Sequence, residues 1–279
     1  MTSNNTSIPP DLEDPLLHTH DALNPYRTGL GLLTRRFLWD LNPRAWISAS
    51  NLKSCRKVGE KYGKRAVILC NGPSLNEVDF DLLKDTFIFG LNKINLIFPR
   101  TSMRPNAIVA VNPFVIEQNM SFFETTNIPL YLDYRFSNSF SFSSNRTYLY
   151  TNVKGFARDV FWGVDTGNTV TYVALQLAFH MGFTNVALVG CDHNFFQKGP
   201  ENKIVSADGE DKSHFDSNYF SGGVNWQLPD LFKSEVAYVT AKKQYEAHGR
   251  SIINCTKGGK LEIFMRQPLD KWIDGLTIA

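Results

Sequence analysis

The sequence predicts an α/β fold: a doubly wound, mostly parallel Rossmann-like sheet with a lid loop and an N-terminal helical extension. Three observations carry this. Short apolar runs of strand length alternate with segments of helical period. Several of those runs end at once in a small polar cluster, at Asn71-Gly72, Asn92, Asn112 and Asp192. A long Gly- and Asp-containing stretch over about 195–225 interrupts the alternation, and such a stretch inside a compact domain is usually a lid or binding loop.

Taken in order, residues 1–24 are polar and without period, which predicts a disordered or loosely packed tail. Residues 25–63 predict a helical extension. Leu30, Leu32, Leu33, Phe37 and Leu38 recur at helical spacing, and Trp46, Ile47 and Leu52 follow Pro43. Residues 64–279 predict one nucleotide-binding catalytic domain. Its strands are expected at Arg65 to Cys70, Thr86 to Gly90, Ala107 to Val111, Pro129 to Asp133, Arg146 to Tyr150, Asn185 to Gly190 and Ser251 to Cys255. Helices are expected at Thr169 to Met181, with one apolar face and Gly182 as cap, at Val236 to His248, ended by Gly249, and at Glu262 to Trp272.

Composition narrows the function classes. The chain has 279 residues, 43% of them hydrophobic, and a net charge of +2. That balance gives no general attraction to nucleic acid. Lys53, Arg56, Lys57, Lys61, Lys64 and Arg65 form a basic run. A solvated helix face is its ordinary reading, and peripheral contact with an anionic membrane surface is the sharper one. Cys55, Cys70, Cys191 and Cys255 form no CxxC pair, which argues against a zinc site, and Cys70 and Cys191 end apolar runs, where buried free thiols are the ordinary outcome, so a reducing, cytoplasmic setting is expected. Neither a signal peptide nor a membrane-spanning run is visible, and homo-oligomer formation is left open.

In an open α/β sheet the ligand crevice lies outside the carboxyl ends of the strands, so the polar clusters are expected to share one crevice. Asn71-Gly72-Pro73-Ser74 follows the first strand. Gly72 permits a sharp turn or a close approach, Pro73 suits a first helical position, and Ser74 offers a hydroxyl and an amide to an anion. An ordinary strand-to-helix turn explains the spacing equally well. Asp165, Thr166, Gly167, Asn168 and Thr169 precede a helix, where amides and caps can hold a phosphate or carboxylate or serve only as caps. Asp192, flanked by His193 and Asn194, is placed to bind a ribose hydroxyl, or a metal through substrate phosphates. Within the lid, His214 is the candidate general base, because imidazole ordinarily titrates near neutral pH. The acidic cluster Asp208 to Asp211 reads as solvated loop. His18 and His20 fall in the tail, His180 is expected to cap its helix or face solvent, and His248 suits a helix C-terminus.

These residues carry a resemblance. The order of Asn71-Gly72-Pro73-Ser74-Leu75, Asn92, Asn112-Pro113, Thr166-Gly167 and Gly190-Cys191-Asp192 resembles the bacterial sialyltransferases of glycosyltransferase family 42. It is also similar to the wider group of 6-hydroxymethylpterin diphosphokinase-like proteins. The resemblance covers about Lys64 to Cys255, and its first motif does not separate the two branches. It implies that Asn71, Gly72, Pro73 and Ser74 meet the phosphate and ribose of a CMP-sugar. It further implies that Asn92 and Asn112 hold the nucleotide and sugar, and that Thr166 and Gly167 bind the sugar carboxylate or base. His214 then matches the catalytic base. The family's phosphate-stabilising tyrosines are absent just after Asp192, where His193, Asn194, Phe195 and Phe196 stand, and Tyr219 is the first tyrosine of the lid.

The expectation is therefore an inverting, metal-independent glycosyltransferase. It would move an acidic sugar from a CMP-sugar donor to a glycan acceptor, with no resident cofactor. The first alternative is an ATP- and magnesium-dependent diphosphokinase, with Asp165 or Asp192 serving the metal. The second is a binding or scaffold protein that kept the fold without the chemistry.

Overall fold

The computed structural model describes residues 25–195, 199–206, 209–220 and 223–275. The tail expected over 1–24, with His18 and His20, lies outside them, as do Phe196, Asp208 and Gly222. The chain divides into two compact units, one ending at Ala45 and one starting at Trp46. In the first lies helix α1 (Pro25–Asp40), and helix α2 (Pro43–Ser54) runs across the division. Both begin with proline, whose fixed φ and missing N–H suit a first helical position. A 3-10 segment, Cys55–Tyr62, follows α2 and ends at Gly63, which takes the left-handed conformation. The extension is thus helical as expected, with its last part wound more tightly.

The second unit is built on an eight-stranded sheet. In chain order its strands are β1 (Arg65–Leu69), β2 (Phe87–Leu91), β3 (Ala107–Ala110), β4 (Leu130–Asp133), β5 (Arg146–Leu149), β6 (Asn185–Val189), β9 (Ser251–Asn254) and β10 (Met265–Arg266). They lie in the order β10-β9-β6-β1-β2-β3-β4-β5, and every neighbouring pair is parallel. This is the doubly wound α/β fold that the alternation of runs predicts. The order reverses between β1 and β6, the switch point at which such sheets open a crevice. A strand covered on both faces has no polar side to show, and Ala66, Val67, Ile68 and Leu69 of β1 are fully buried. A separate antiparallel pair joins β7 (Ile204–Ser206), inside the expected lid, to β8 (Asn225–Gln227), which runs past its end.

Helix α3 (Pro113–Gln118) follows β3 and α4 (Met120–Thr125) follows it directly. Helix α5 (Val170–His180) departs from the amphipathic expectation, because every residue from Thr171 to His180 is buried. An all-round apolar helix belongs in the interior, and this one is enclosed between the sheet and α6 (Leu231–Glu246). His180 accordingly does not face solvent. Its Nε2 meets the Leu52 carbonyl at 2.8 Å and its Nδ1 lies 3.2 Å from Asp159, and burial holds its pKa below the ordinary imidazole value. Helix α6 begins earlier than the expected Val236, because Asp230 accepts the Lys233 amide and caps it. The expected closing helix from Glu262 is only α7 (Leu269–Ile273). Pro268 has no N–H to donate and clashes within a helix, so the preceding residues join the sheet as β10.

Candidate active site

A cleft of about 400 Å³ opens above the carboxyl ends of β1, β2, β3 and β6, a volume ordinary for a small-molecule site. Its lining brings together Asn71, Gly72, Asn92, Asn112, Thr166, Asn168, Asp192, His193, Asn194, His214 and Tyr219. Pro73, Ser74, Asp165 and Gly167 are not part of it.

The first loop is held by an internal anion. Asp192 accepts the Ser74 hydroxyl at 2.7 Å, and the Ser74 amide lies 3.3 and 3.4 Å from its two carboxylate oxygens. Ser74 is therefore not open to a ligand phosphate: the anion that its amide and hydroxyl attract comes from the loop after β6 of the same chain. Ser74 thus differs from its expected place facing a ligand, while Asp192 lines the cleft and also holds the first loop. Gly72 has an ordinary extended backbone, with φ of −73°, so it is required by proximity and not by a turn. A Cβ there would stand 1.9 Å from Asp192 Oδ2 and 2.7 Å from the Gly190 carbonyl.

Other predicted residues divide in the same manner. Asp165 accepts the amides of Gly155 at 2.7 Å and Gly167 at 3.0 Å, so it shapes its own loop. Its backbone is fixed by buried Gln176, whose Oε1 takes the Asp165 and Ala157 amides and whose Nε2 donates to the Asp165 carbonyl. Gly167, at φ of +51°, packs against the Tyr172 ring. Thr169 stands at the N-cap of α5 but its hydroxyl pairs with Tyr238 instead of capping, and Val170 and Thr171 of the first turn line the cleft. Asn112 caps α3 through Oδ1, with the Phe114 amide at 3.0 Å. His193 pairs with Glu235 at 3.0 Å. By contrast, among the described residues the buried Oδ1 atoms of Asn71 and Asn92 meet no hydrogen-bond partner. Unsatisfied buried acceptors are costly, and two in one cleft point to donors supplied by a ligand.

The lid carries the clearest chemical arrangement. His214 Nδ1 lies 2.7 Å from Asp211 Oδ2, and its ring stacks on Tyr219 at 4.0 Å with an interplanar angle of 2°. Asp211 is not the solvated loop residue that the sequence suggests. Burial opposes its ionised form, but His214 and the Ser213 and Phe220 amides outweigh that, and its pKa lies below the ordinary carboxylate value. An ionised Asp211 accepts, so in the neutral imidazole Nδ1 is the protonated nitrogen and the lone pair lies on Nε2. Tyr219 lines the cleft but is buried, and burial drives its pKa up. It supports the imidazole and is no proton donor of ordinary strength.

Sequence reasoning missed three contributors. Arg135, just past β4, reaches the cleft with its Nε and Nη2 fixed on fully buried Asp133 at 2.9 and 2.8 Å. Thr151 also donates to Asp133, so the carboxylate that holds the guanidinium is itself fixed from behind. Arg100 bonds Asp216 and Asn76, and Asn76 bonds the Phe215 carbonyl, fastening the lid to the 3-10 turn after β1. Lys93 is the third: buried, it donates to the Tyr219 carbonyl at 2.6 Å and to Gln118 at 2.7 Å. A short polar residue beside a strand is visible in a sequence; a lysine turned inward to hold a distant loop is not.

Burial lowers the Lys93 pKa to about 8, with Asp211 partly opposing the shift. Between that value and the ordinary lysine range the unfolded chain holds a proton that the folded chain has released. Folding stability therefore rises with pH across that window, and the cost is fully present below it. The melting temperature of wild type relative to Lys93→Met is expected to climb between pH 8 and 10. Parallel curves for the two proteins would show that Lys93 keeps its proton in the fold.

The thiols are free, as expected. Burial pushes Cys55 up to about 11 and Cys255 to about 12, and the adjoining Cys191 thiol together with burial raises Cys70. None of these three is a nucleophile at neutral pH. No described helix is long and apolar enough to cross a membrane. Among the described residues no group of three His, Cys, Asp or Glu side chains is arranged to hold a metal ion.

Comparison with known proteins adds the following. The family model described as 6-hydroxymethylpterin diphosphokinase MptE-like matches residues 42–198, more than half of the chain. The match takes in β1 to β6 and Asp192, and stops short of Asp211, His214 and Tyr219. A solved structure of MAf glycosyltransferase from Magnetospirillum magneticum AMB-1 aligns at 16% identity and a TM-score of 0.48, over 74% of this chain and 34% of that one. The chain thus spans about a third of that protein. No curated protein matches the chain.

Proposed function

We propose that this chain, which belongs to the 6-hydroxymethylpterin diphosphokinase MptE-like family, is an inverting glycosyltransferase that uses a CMP-activated acidic sugar. The observation that carries the reading is the His214–Asp211 pair, set over the cleft with Nε2 open. Nε2 takes the proton of an acceptor hydroxyl as its oxygen attacks the anomeric carbon from the face opposite the phosphate. The anomeric C–O bond breaks and the electron pair leaves with CMP. Asp211 steadies the imidazolium that forms. Asn71 and Asn92 supply acceptors for ribose hydroxyls or a base amine, and the first amides of α5 face the phosphate. Arg135, held by Asp133, suits the carboxylate of an acidic sugar better than a neutral one. The acceptor is a glycan and the reaction is placed at the cytoplasmic side.

The second reading, diphosphoryl transfer from ATP to a pterin-like alcohol, is favoured by the family's description. It needs a magnesium site, and the residues present fit one poorly. Both oxygens of Asp192 face Ser74, and both oxygens of Asp165 accept loop amides.

A nucleotide panel read by thermal shift separates the two. CMP at 100 times its Kd is expected to stabilise the protein by about 2.7 kcal/mol without magnesium. Stabilisation by ATP alone, and only with magnesium, overturns the transferase in favour of the kinase. Asn71→Ala is expected to weaken CMP binding roughly tenfold, the effect of about one hydrogen bond. Equal affinity in the variant would remove Asn71 from the donor site.

A further inference from the structure

The cleft holds a second histidine–carboxylate pair, which the reaction assigned above leaves unused. His193 Nε2 lies 3.0 Å from Glu235 Oε1, and the ring is only 7% exposed. His193 lines the cleft and Glu235 stands outside its lining, so the carboxylate holds the ring by one nitrogen from beyond the wall. Among the described residues Nδ1 meets no partner. The backbone is held as well. His193 has φ of +52°, in the left-handed region that non-glycine residues seldom occupy. The Lys260 amide donates to the Asp192 carbonyl at 2.8 Å, and a Cβ at Gly259 would stand 3.0 Å from the Asp192 Cα. Backbone of this kind persists where its surroundings fix it, and it gathers at functional sites.

One task in the cleft has no charged side chain assigned to it. When the anomeric C–O bond breaks, the phosphate takes the electron pair and gains a negative charge. Only a group that meets this added charge more strongly than the ester's own lowers the barrier. Among the described residues, three lining side chains can be cationic: Arg135, His193 and His214. Arg135 is assigned to the sugar carboxylate, and His214 has to keep its Nε2 lone pair to act as base. His193 remains. Its ring meets that of Tyr238 at 6.0 Å, and the Tyr238 hydroxyl lies 3.3 Å from that of Thr169, the N-cap of α5. Tyr238 therefore joins His193 to the helix N-terminus that the proposed reaction gives to the phosphate.

We propose that His193 is a catalytic residue for the departure of CMP: its imidazolium donates Nδ1–H to the leaving phosphate while Nε2–H stays on Glu235. The anomeric C–O bond breaks, the electron pair goes to the phosphate oxygen, and both protons stay on the ring. The two histidines then divide the reaction. His214 takes the proton of the acceptor hydroxyl, and His193 meets the charge that develops on the donor. The assignment rests on the CMP-sugar reading of the cleft. Glu235 and Tyr238 of α6 are the titratable groups packed on the ring, and Asp192, next to it in the chain, is engaged by Ser74.

The test is calorimetric titration of the full chain with CMP, with the methyl ester of its phosphate, and with cytidine. The ester carries the single charge of the donor and cytidine carries none. His193→Asn removes the ring and keeps a residue that tolerates the left-handed backbone. It is expected to weaken CMP by about tenfold or more, the ester by less, and cytidine not at all. Glu235→Gln, a change at a half-exposed side chain, is expected to move the three ligands in the same order by smaller factors. Equal losses for CMP and the ester would make His193 a contact of the bound donor only and overturn the catalytic role. Equal losses for all three, or none, would make it a brace between the loop after β6 and α6 and overturn the proposal. Wild-type protein that binds neither CMP nor cytidine would overturn the CMP-sugar reading itself, and this assignment with it, before any variant is made.

Discussion

Replacing His214 with alanine lowers turnover by about 10²- to 10⁴-fold, the range that a positioned general base supplies, and leaves nucleotide affinity close to wild type. The separation is expected because the imidazole meets the acceptor and not the donor. Its Nδ1 belongs to Asp211 and its face to Tyr219, so among the described residues Nε2 is the ring nitrogen left without a partner. Alanine also removes the stacking partner of Tyr219, and His214→Phe is the control for that loss. It keeps an aromatic ring in place and is expected to be equally inactive. Asp211→Asn is expected to lower kcat by up to about 10⁴-fold with little change in KM. Asparagine keeps a similar shape but cannot stabilise the imidazolium, and its amide can favour the wrong tautomer. Unchanged turnover in His214→Ala removes the base role. Loss of nucleotide binding in His214→Phe would instead make the residue a structural part of the lid.

How far the site was legible depends on whether each contribution is local. Asn71, Asn92 and Asp192 were visible because each ends an apolar run, and the parallel sheet brings the ends of such runs together. His214 was visible as a histidine in an unusual loop. Asp211 was not, because a run of acids reads as solvated unless its partner is known, and the partner takes its oxygen only after the lid has folded. Arg135 stands two residues past a strand end that the sequence located well, yet nothing local shows that buried Asp133 will aim it into the cleft. The same limit explains Ser74. Its local pattern is that of an anion-binding turn, and that is correct; the identity of the anion is set by a contact spanning 118 residues. The elements followed the same rule. Periodicity placed α5 but gave it one apolar face, since the covering on its far side comes from α6.

Gly72→Ala should be the most destabilising single change in the cleft. Its Cβ would stand 1.9 Å from Asp192 Oδ2, closer than any non-bonded contact allows, and 2.7 Å from the Gly190 carbonyl, which is backbone and cannot swing away. The Asp192 carboxylate has to turn, and in turning it releases the Ser74 amide and hydroxyl. Overpacking costs about 1–3 kcal/mol and the loss of a hydrogen bond to a charged group about 1.5–3 kcal/mol, so the sum is on the order of 3 kcal/mol or more. For a unit of this size that lowers the melting temperature by roughly 6–12 °C. The strain has two sources, and they can be told apart. In Gly72→Ala with Asp192→Ala the carboxylate clash is gone while the carbonyl clash remains, so the double variant is expected to lose less than the two single variants added together. A strictly additive cycle would mean that the loop and Asp192 yield independently, and the internal anion would then no longer account for the glycine. A Gly72→Ala protein as stable as wild type would mean that the loop moves away from β6 at little cost, which would also leave the cleft without its fixed wall.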